Sequence, residues 1–212
     1  MIKDELLESL RKKGFSDRVI GAFSAVKRED FVPPHLVGYA YEDLALPIME
    51  GSTLSQPSTI AFMLDLLDVR DGQNVLEIGS GSGYTIALLA EMNKKGKVFG
   101  VELLKELAIN SRNYLKENKN VEIIIRNGSQ GLPEFAPYDR ILVSASCPKV
   151  PRNLLQQLKD EGILVAAVKQ SIFKIKKTKN KDNTISLIEK EYPGFAFVPL
   201  VQNEDGEDKK EE

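Results

Sequence analysis

Three glycines at every second position, Gly79, Gly81 and Gly83, lie within the stretch LEIGSGSGYT (Leu76–Thr85). Glycines spaced this way let a backbone turn tightly and come close to a ligand, and a helix that follows offers unpaired N–H groups at its start. Ser80 and Ser82 alternate with them, and an acid, Glu77, stands just ahead. About twenty residues further on, Glu102 ends the apolar stretch KVFGVE, where a carboxylate is placed to accept hydrogen bonds from both hydroxyls of a ribose. Leu103 follows it. Asn127 and Gly128 close a third apolar stretch, VEIIIRN, an amide able to read an adenine edge beside a residue that leaves room for the ring. Together these residue types suit a nucleoside-containing cofactor. The dinucleotide fingerprint G-x-G-x-x-G needs a small residue at its third site, which here is Tyr84, so a dehydrogenase fits less well.

A second set of polar residues precedes the first. EGSTLSQPST (Glu50–Thr59) carries the hydroxyls of Thr53, Ser55 and Ser58 around Pro57. Ser, Thr and Pro ahead of an apolar helix are helix-start signals. The same residues next to a cofactor loop could also form the lip of an acceptor site. Few other groups in the chain can do chemistry. Its single histidine, His35, and single cysteine, Cys147, provide neither a common zinc site nor a disulfide framework. A Ser-His-Asp hydrolase would depend on His35, which has no nucleophile-elbow motif beside it. His35 reads as a surface or capping residue and Cys147 as a small buried one, and no metal is expected.

The elements that must position these groups follow from apolar periodicity. Residues 3–13 and 17–27 each have helical spacing, ended by Pro33 and Pro34 of DFVPP. Residues 57–68 form a further helix with Pro57 in its first turn. From residue 74 strands and helices alternate: strands at 74–79, 97–102, 121–127, 138–146 and 162–168, with helices at 84–92, 104–118 and 150–159. Such alternation with apolar strands implies a mostly parallel, doubly wound sheet covered on both faces. Residues 171–177 and 184–190 are an antiparallel strand pair about NKDN, and FAFVPLV (195–201) is a last strand. One domain, 1–202, is expected: helices and the hydroxyl loop over 1–56, the cofactor core over 57–168 and C-terminal strands over 169–202. The charged tail 203–212 has no apolar anchor and is expected to be disordered.

The 212 residues, 42% hydrophobic and 28% charged, suffice for one hydrophobic core. A net charge of −2 argues against a nucleic-acid partner, which usually meets a basic domain. The lysines at 169, 174, 176, 177, 179 and 181 read either as a solvated hairpin or as a local patch for acidic peptides or RNA. No apolar run approaches the ~18–20 residues that span a membrane, and the acidic start KDELLE is unlike a signal peptide. A cytoplasmic monomer is expected.

The glycine loop, the acid after the second strand and the polar pair after the third resemble the S-adenosylmethionine-dependent methyltransferases, with their Rossmann-like α/β fold. LPIMEGSTLSQPS further resembles the P-I-x-x-G-x-T-[IL]-S-x-P segment of the protein-L-isoaspartate (D-aspartate) O-methyltransferases. The similarity includes FVPPHLVGYAYED, LEIGSGSGY, APYDRILVSASCPKVPRNLLQQLKDEGILV and FVPLV, in that order. The resemblance implies that Ser55 is the active-site serine. It implies that Glu77, Gly79, Ser80, Gly81, Ser82, Gly83, Glu102, Leu103, Asn127 and Gly128 hold S-adenosyl-L-methionine, leaving S-adenosyl-L-homocysteine as product. It also implies that Ile48, Thr53, Ser55, Pro57, Ser58, Ala145, Ser146, Val198, Pro199 and Leu200 surround an isoaspartyl residue of a damaged protein or peptide. Three positions depart from the family's pattern. Arg126-Asn127-Gly128 stands where Gly-Asp-Gly is typical, Ser58 replaces an aromatic or histidine, and Lys169-Gln170 replaces a glycine after the fifth strand.

Overall fold

The computed structural model describes residues 1–49 and 51–197. Seven strands form the central sheet: β3 (Asn74–Ile78), β4 (Lys97–Glu102), β5 (Val121–Ile125), β6 (Tyr138–Cys147), β7 (Leu158–Val168), β8 (Ser171–Lys179) and β9 (Ile185–Pro193). Their order is β5-β4-β3-β6-β7-β8-β9. β5, β4, β3, β6 and β7 run parallel, and β8 and β9 add antiparallel strands at one edge. The order reverses between β3 and β6, so the carboxyl ends of β3, β4 and β6 open a crevice at the switch point, where sheets of this kind bind ligands.

Strand residues alternate between two buried layers, as a period of two requires. Val75, Val98, Leu142, Ile163 and Val165 face a layer shared with α1 (Lys3–Lys12), α2 (Asp17–Ala25), α3 (Pro57–Leu67), α4 (Tyr84–Met92) and α5 (Lys105–Tyr114). Leu76, Phe99, Val101, Ile141, Val143 and Leu164 face the other layer, which includes Leu154 of α6 (Arg152–Gln157). Each fully buried side chain of this size contributes about 1.5–3 kcal/mol. The two layers therefore fix the strand ends on which the crevice depends.

Several boundaries differ from the sequence reading. α6 stops at Gln157, not 159, because Leu158 already pairs with Tyr138 of β6; the register then shifts, and regular pairing resumes at Arg140 with Ile163. Glu161, at φ +60°, lies within that irregularity. α5 ends at Tyr114 rather than 118. The antiparallel pair is longer than expected, running from Ser171 to Pro193. Pro34 does not merely end a helix; it begins a 3₁₀ run, Pro34–Tyr39. Phe195 to Phe197 form no strand. Gly194, at φ +96°, turns the chain, and the amides of Gly194 and Phe195 both donate to the Gln170 carbonyl at 3.0 Å. The rest of that expected strand, and the tail 203–212, lie outside the described residues.

Two of the lysines on the antiparallel edge are already engaged. Lys176 pairs with Glu161 at 2.8 Å, and Lys177 donates to the Leu158 carbonyl at 2.7 Å. No helix among the described residues is long and apolar enough to cross a membrane.

Candidate active site

The glycine turn leaves the carboxyl end of β3. Gly79, Gly81 and Gly83 have φ of +78°, +54° and +87°, in the left-handed region that other residues adopt only under strain. The amides of Gly79 and Ser80 donate to the Val101 carbonyl at 2.9 and 3.2 Å, which ties the turn to β4. Gly83 then caps the start of α4. Nothing lies within 4 Å of where a Cβ on Gly81 would stand, so the backbone there faces open space. At Gly128, by contrast, a Cβ would come within 2.5 Å of Ile78 Cγ2, so the close approach of the turn after β5 to β3 itself demands glycine.

Glu102, 7% exposed at the end of β4, accepts from Gly81 N–H at 2.7 Å through Oε2 and from Leu104 N–H at 2.9 Å through Oε1. Each oxygen keeps a second lone pair directed away from these amides. Glu77 is 1% exposed. Its Oε1 accepts from Ser144 Oγ at 2.5 Å, while Oε2 has no hydrogen-bond partner. Burial, helped by the charge of Glu102 and opposed by Ser144, raises its pKa to about 8. Ser80 Oγ and Ser82 Oγ are likewise buried without a partner. Buried polar atoms are normally satisfied, and this concentration of unsatisfied ones marks a place for a polar ligand.

Opposite the turn stands the hydroxyl loop. β1 (Leu46–Pro47) and β2 (Thr53–Leu54) pair antiparallel, and the turn between them is closed by Ile48 N–H on Ser52 C=O at 2.9 Å. Met49 Sδ at the tip receives the Asn110 amide of α5 at 3.5 Å. α3 begins with Pro57 after Gln56, whose side chain makes no capping bond. The cap comes instead from Asp43, whose Oδ1 accepts Ser58 N–H at 2.8 Å. The Ser55 hydroxyl is therefore not consumed in starting the helix.

Loop and turn enclose a cavity of about 680 Å³, a size usual for small-molecule sites. Thr53, Ser55, Gln56, Ser58 and Thr59 line one side; Ile78, Gly79, Gly81, Val101, Glu102, Leu103 and Gly128 line the other, with Ser144 and Ala145 between them. A smaller adjoining cleft of about 50 Å³ reaches Glu77, Ser80 and Ser82 and shares Thr53, Ser55, Gly79, Gly81 and Ser144 with the first.

Most of the residues expected from the sequence thus converge, but some do not. Asn127 lines neither space; its Oδ1 accepts Ser129 N–H at 2.8 Å and caps a 3₁₀ turn, Gly128–Gln130. Ser146 Oγ donates to the Lys169 carbonyl at 3.2 Å outside the cavity lining. Ile48 packs against the core, and Pro57 is buried in the first turn of α3. Val198, Pro199 and Leu200 lie outside the described residues. Ser144, Leu104 and the wall formed by Gly194, Phe195, Ala196 and Phe197 also line the cavity, although none of them is expected there from the sequence. In that wall Phe195 stacks on Phe62 of α3 at 5.5 Å between ring centroids. For Ser144 the signal was its place near the end of β6, beside the strand that carries Glu77.

A glycine-rich turn at the switch point, an acid anchored at the end of the next strand and a deep cavity define an α/β enzyme of the Rossmann-like, nucleoside-cofactor class. Within that class, the sequence model of the Protein-L-isoaspartate(D-aspartate) O-methyltransferase (PCMT) family matches residues 1–205, and the chain belongs to this family. It is 42% identical over 212 residues to the protein-L-isoaspartate O-methyltransferase of Methanopyrus kandleri, covering 95% of this chain and 92% of that one. With the enzyme of Methanothrix thermoacetophila it shares 43% over 207 residues, 95% of each chain. A solved protein-L-isoaspartate O-methyltransferase superimposes with a TM-score of 0.86 at 30% identity, over 95% of this chain and 67% of that one. A second, from Plasmodium falciparum in complex with S-adenosyl-L-homocysteine, gives 0.79 at 28% identity, over 94% and 98%.

Proposed function

We propose that this chain methylates the α-carboxylate of L-isoaspartyl or D-aspartyl residues in damaged proteins, with S-adenosyl-L-methionine as donor, and so initiates their repair. The observation that carries the reading is the single cavity bounded on one side by the glycine turn with Glu102 and on the other by Ser55. The donor set suits the cofactor. Glu102 retains acceptor positions for ribose hydroxyls, and the unpartnered oxygens of Glu77, Ser80 and Ser82 stand where the polar end of an amino-acid moiety would lie. Gly81 leaves the space such a ligand needs, and Gly128 allows the turn after β5 to close on Ile78. When bound, the cofactor supplies an electrophilic methyl group on a sulfonium.

This chain's residues then have three tasks. The first is to hold the acceptor. A carboxyl group with a pKa of about 3.5–4 is already ionised at neutral pH, so no general base is needed. That accords with a cavity lined by hydroxyl, small and apolar residues, in which Glu102 is the only ionisable side chain among the described residues. The Ser55 hydroxyl donates a hydrogen bond that orients the carboxylate without neutralising it. The second task is to exclude water, which falls to the wall of Phe195 and Phe197. The third is to keep the two halves of the site at a fixed separation, since alignment at about 3 Å accounts for much of the rate in such transfers. The same reading takes the protein as a cytoplasmic monomer with no nucleic-acid partner, in keeping with a net charge of −2.

The test is incubation with methyl-labelled cofactor and a peptide containing one isoaspartyl residue. Base-labile ester is expected on that peptide and not on its aspartyl counterpart. Equal labelling of both, or of neither, refutes the proposal.

A further inference from the structure

Arg28 is fully buried, at 0% exposure, in the 3₁₀ turn Arg28–Phe31. Arginine is almost never buried this way unless paired, because removing its charge from water is costly. Among the described residues no carboxylate forms an ion pair with it. Two of its nitrogens bond backbone carbonyls instead: Nε donates to Ala40 C=O at 2.8 Å and Nη2 to Ser55 C=O at 2.9 Å, while Nη1 is buried with no hydrogen-bond partner. The guanidinium carbon lies 5.0 Å from the ring centroid of Tyr84, the first residue of α4 after the glycine turn. Burial lowers the pKa of Arg28 to about 10, which leaves it cationic at neutral pH. One side chain thus touches both the acceptor loop and the helix that carries the cofactor turn. Asp43 holds the other end of the same loop through Ser58 N–H, and its charge acts favourably on Arg28.

A strut that only stabilised the fold could be apolar, and replacing buried charges by packed apolar groups is often neutral or better. Two directional bonds on carbonyls fifteen residues apart in sequence do something an apolar group cannot: they set the course of the backbone. We propose that Arg28 and Asp43 are positioning residues for the acceptor loop, Arg28 fixing the Ser55 carbonyl and Asp43 the Ser58 amide, so that the Ser55 hydroxyl stays at a set distance from the glycine turn. This rests on the reading that Ser55 meets the acceptor. The buried cation also lies behind the loop on which an anionic carboxylate lands, which favours that anion over a neutral amide.

The experiment compares wild type with Arg28→Lys, Arg28→Met and Asp43→Ala. Isoaspartyl-peptide kinetics are measured per cofactor-binding site, and the Kd for S-adenosyl-L-homocysteine by calorimetry. Peptide kcat/KM is expected to fall about 10–100-fold in Arg28→Met, as small misplacements in such sites do. Arg28→Lys, which keeps the charge but not the planar fork, recovers part of the loss, and Asp43→Ala loses about fivefold, in keeping with one missing hydrogen bond. The Kd stays within twofold throughout. Peptide kinetics and cofactor affinity falling together would make Arg28 a general strut and overturn the proposal, as would unchanged peptide kinetics. If the Arg28 variants do not fold, Asp43→Ala decides alone: wild-type peptide kinetics there overturn it. A wild-type protein that never methylates the isoaspartyl peptide refutes the function instead, and that result is read before any variant.

Discussion

Glu102→Gln tests the cofactor half of the site with an isosteric change. The carboxylate accepts two backbone amides, from Gly81 at 2.7 Å and Leu104 at 2.9 Å, and has two acceptor positions left. Glutamine has one oxygen. It can keep Gly81 or Leu104, and its NH₂ must then face the other amide, donor against donor. A hydrogen bond to a charged group contributes about 1.5–3 kcal/mol, so the free protein should lose about 2 kcal/mol. For a chain of this size each kcal/mol lowers Tm by about 2–4 °C, which gives a fall of about 4–8 °C. Binding should suffer separately, because one of the two positions for ribose hydroxyls has become a donor. Loss of one such bond weakens affinity about 10–100-fold. Calorimetric titration with S-adenosyl-L-homocysteine at pH 7, with thermal melting of the free protein, measures both effects. An affinity within twofold of wild type would show that Glu102 only anchors the turn and that the ribose lies elsewhere.

Ser55→Ala should lower kcat/KM for an isoaspartyl peptide about tenfold with little change in cofactor affinity; kinetics and calorimetry on one preparation check the split, and a parallel loss would move Ser55 to the cofactor side. Gly128→Ala places a methyl 2.5 Å from Ile78 Cγ2 and should cost about 1–3 kcal/mol by overpacking, seen as a lower Tm, whereas an unchanged Tm would mean that β3 and the following turn can part freely. Glu77, with its pKa raised to about 8, binds its proton more tightly folded than unfolded. Its contribution to stability is therefore complete below the unfolded value near 4.5 and is lost as pH rises through 8. Glu77→Gln should melt progressively higher relative to wild type between pH 5 and pH 8, and a constant difference across that range would contradict the assignment.

What could be read in the sequence was what is encoded locally. Gly79, Gly81 and Gly83 announce left-handed backbone, and Glu102 at a strand end announces an acceptor, whatever else the chain does. Ser55 was legible only as one of two alternatives, and the capping by Asp43, fifteen residues before Ser58, leaves the Ser55 hydroxyl unused at the helix start. Arg28 gave no local signal, because its significance comes from Ser55 in a distant segment, and Ser144 gave only its place near a strand end, its partner Glu77 lying far off in sequence. Leu158 kept helical spacing with Leu154, yet its pairing with Tyr138 overrode that pattern, so the end of α6 was misplaced. Phe195 and Phe197 alternate as in a strand, but Phe195 stacks on Phe62 and both close a cavity. A period of two records which side is buried and not what buries it. Asn127, at a strand end, had a local use available as a cap, a frequent competitor for such residues.

The central claim is that an acceptor carboxylate meets the methyl donor at Ser55. A structure of the protein with S-adenosyl-L-homocysteine and an isoaspartyl peptide tests it most directly. The account predicts the nucleoside between the glycine turn and Glu102, and the α-carboxylate within hydrogen-bonding distance of the Ser55 hydroxyl, on the side facing the sulfur. A peptide bound along the lysine-bearing edge of β8 and β9, or a carboxylate turned away from Ser55, would contradict it.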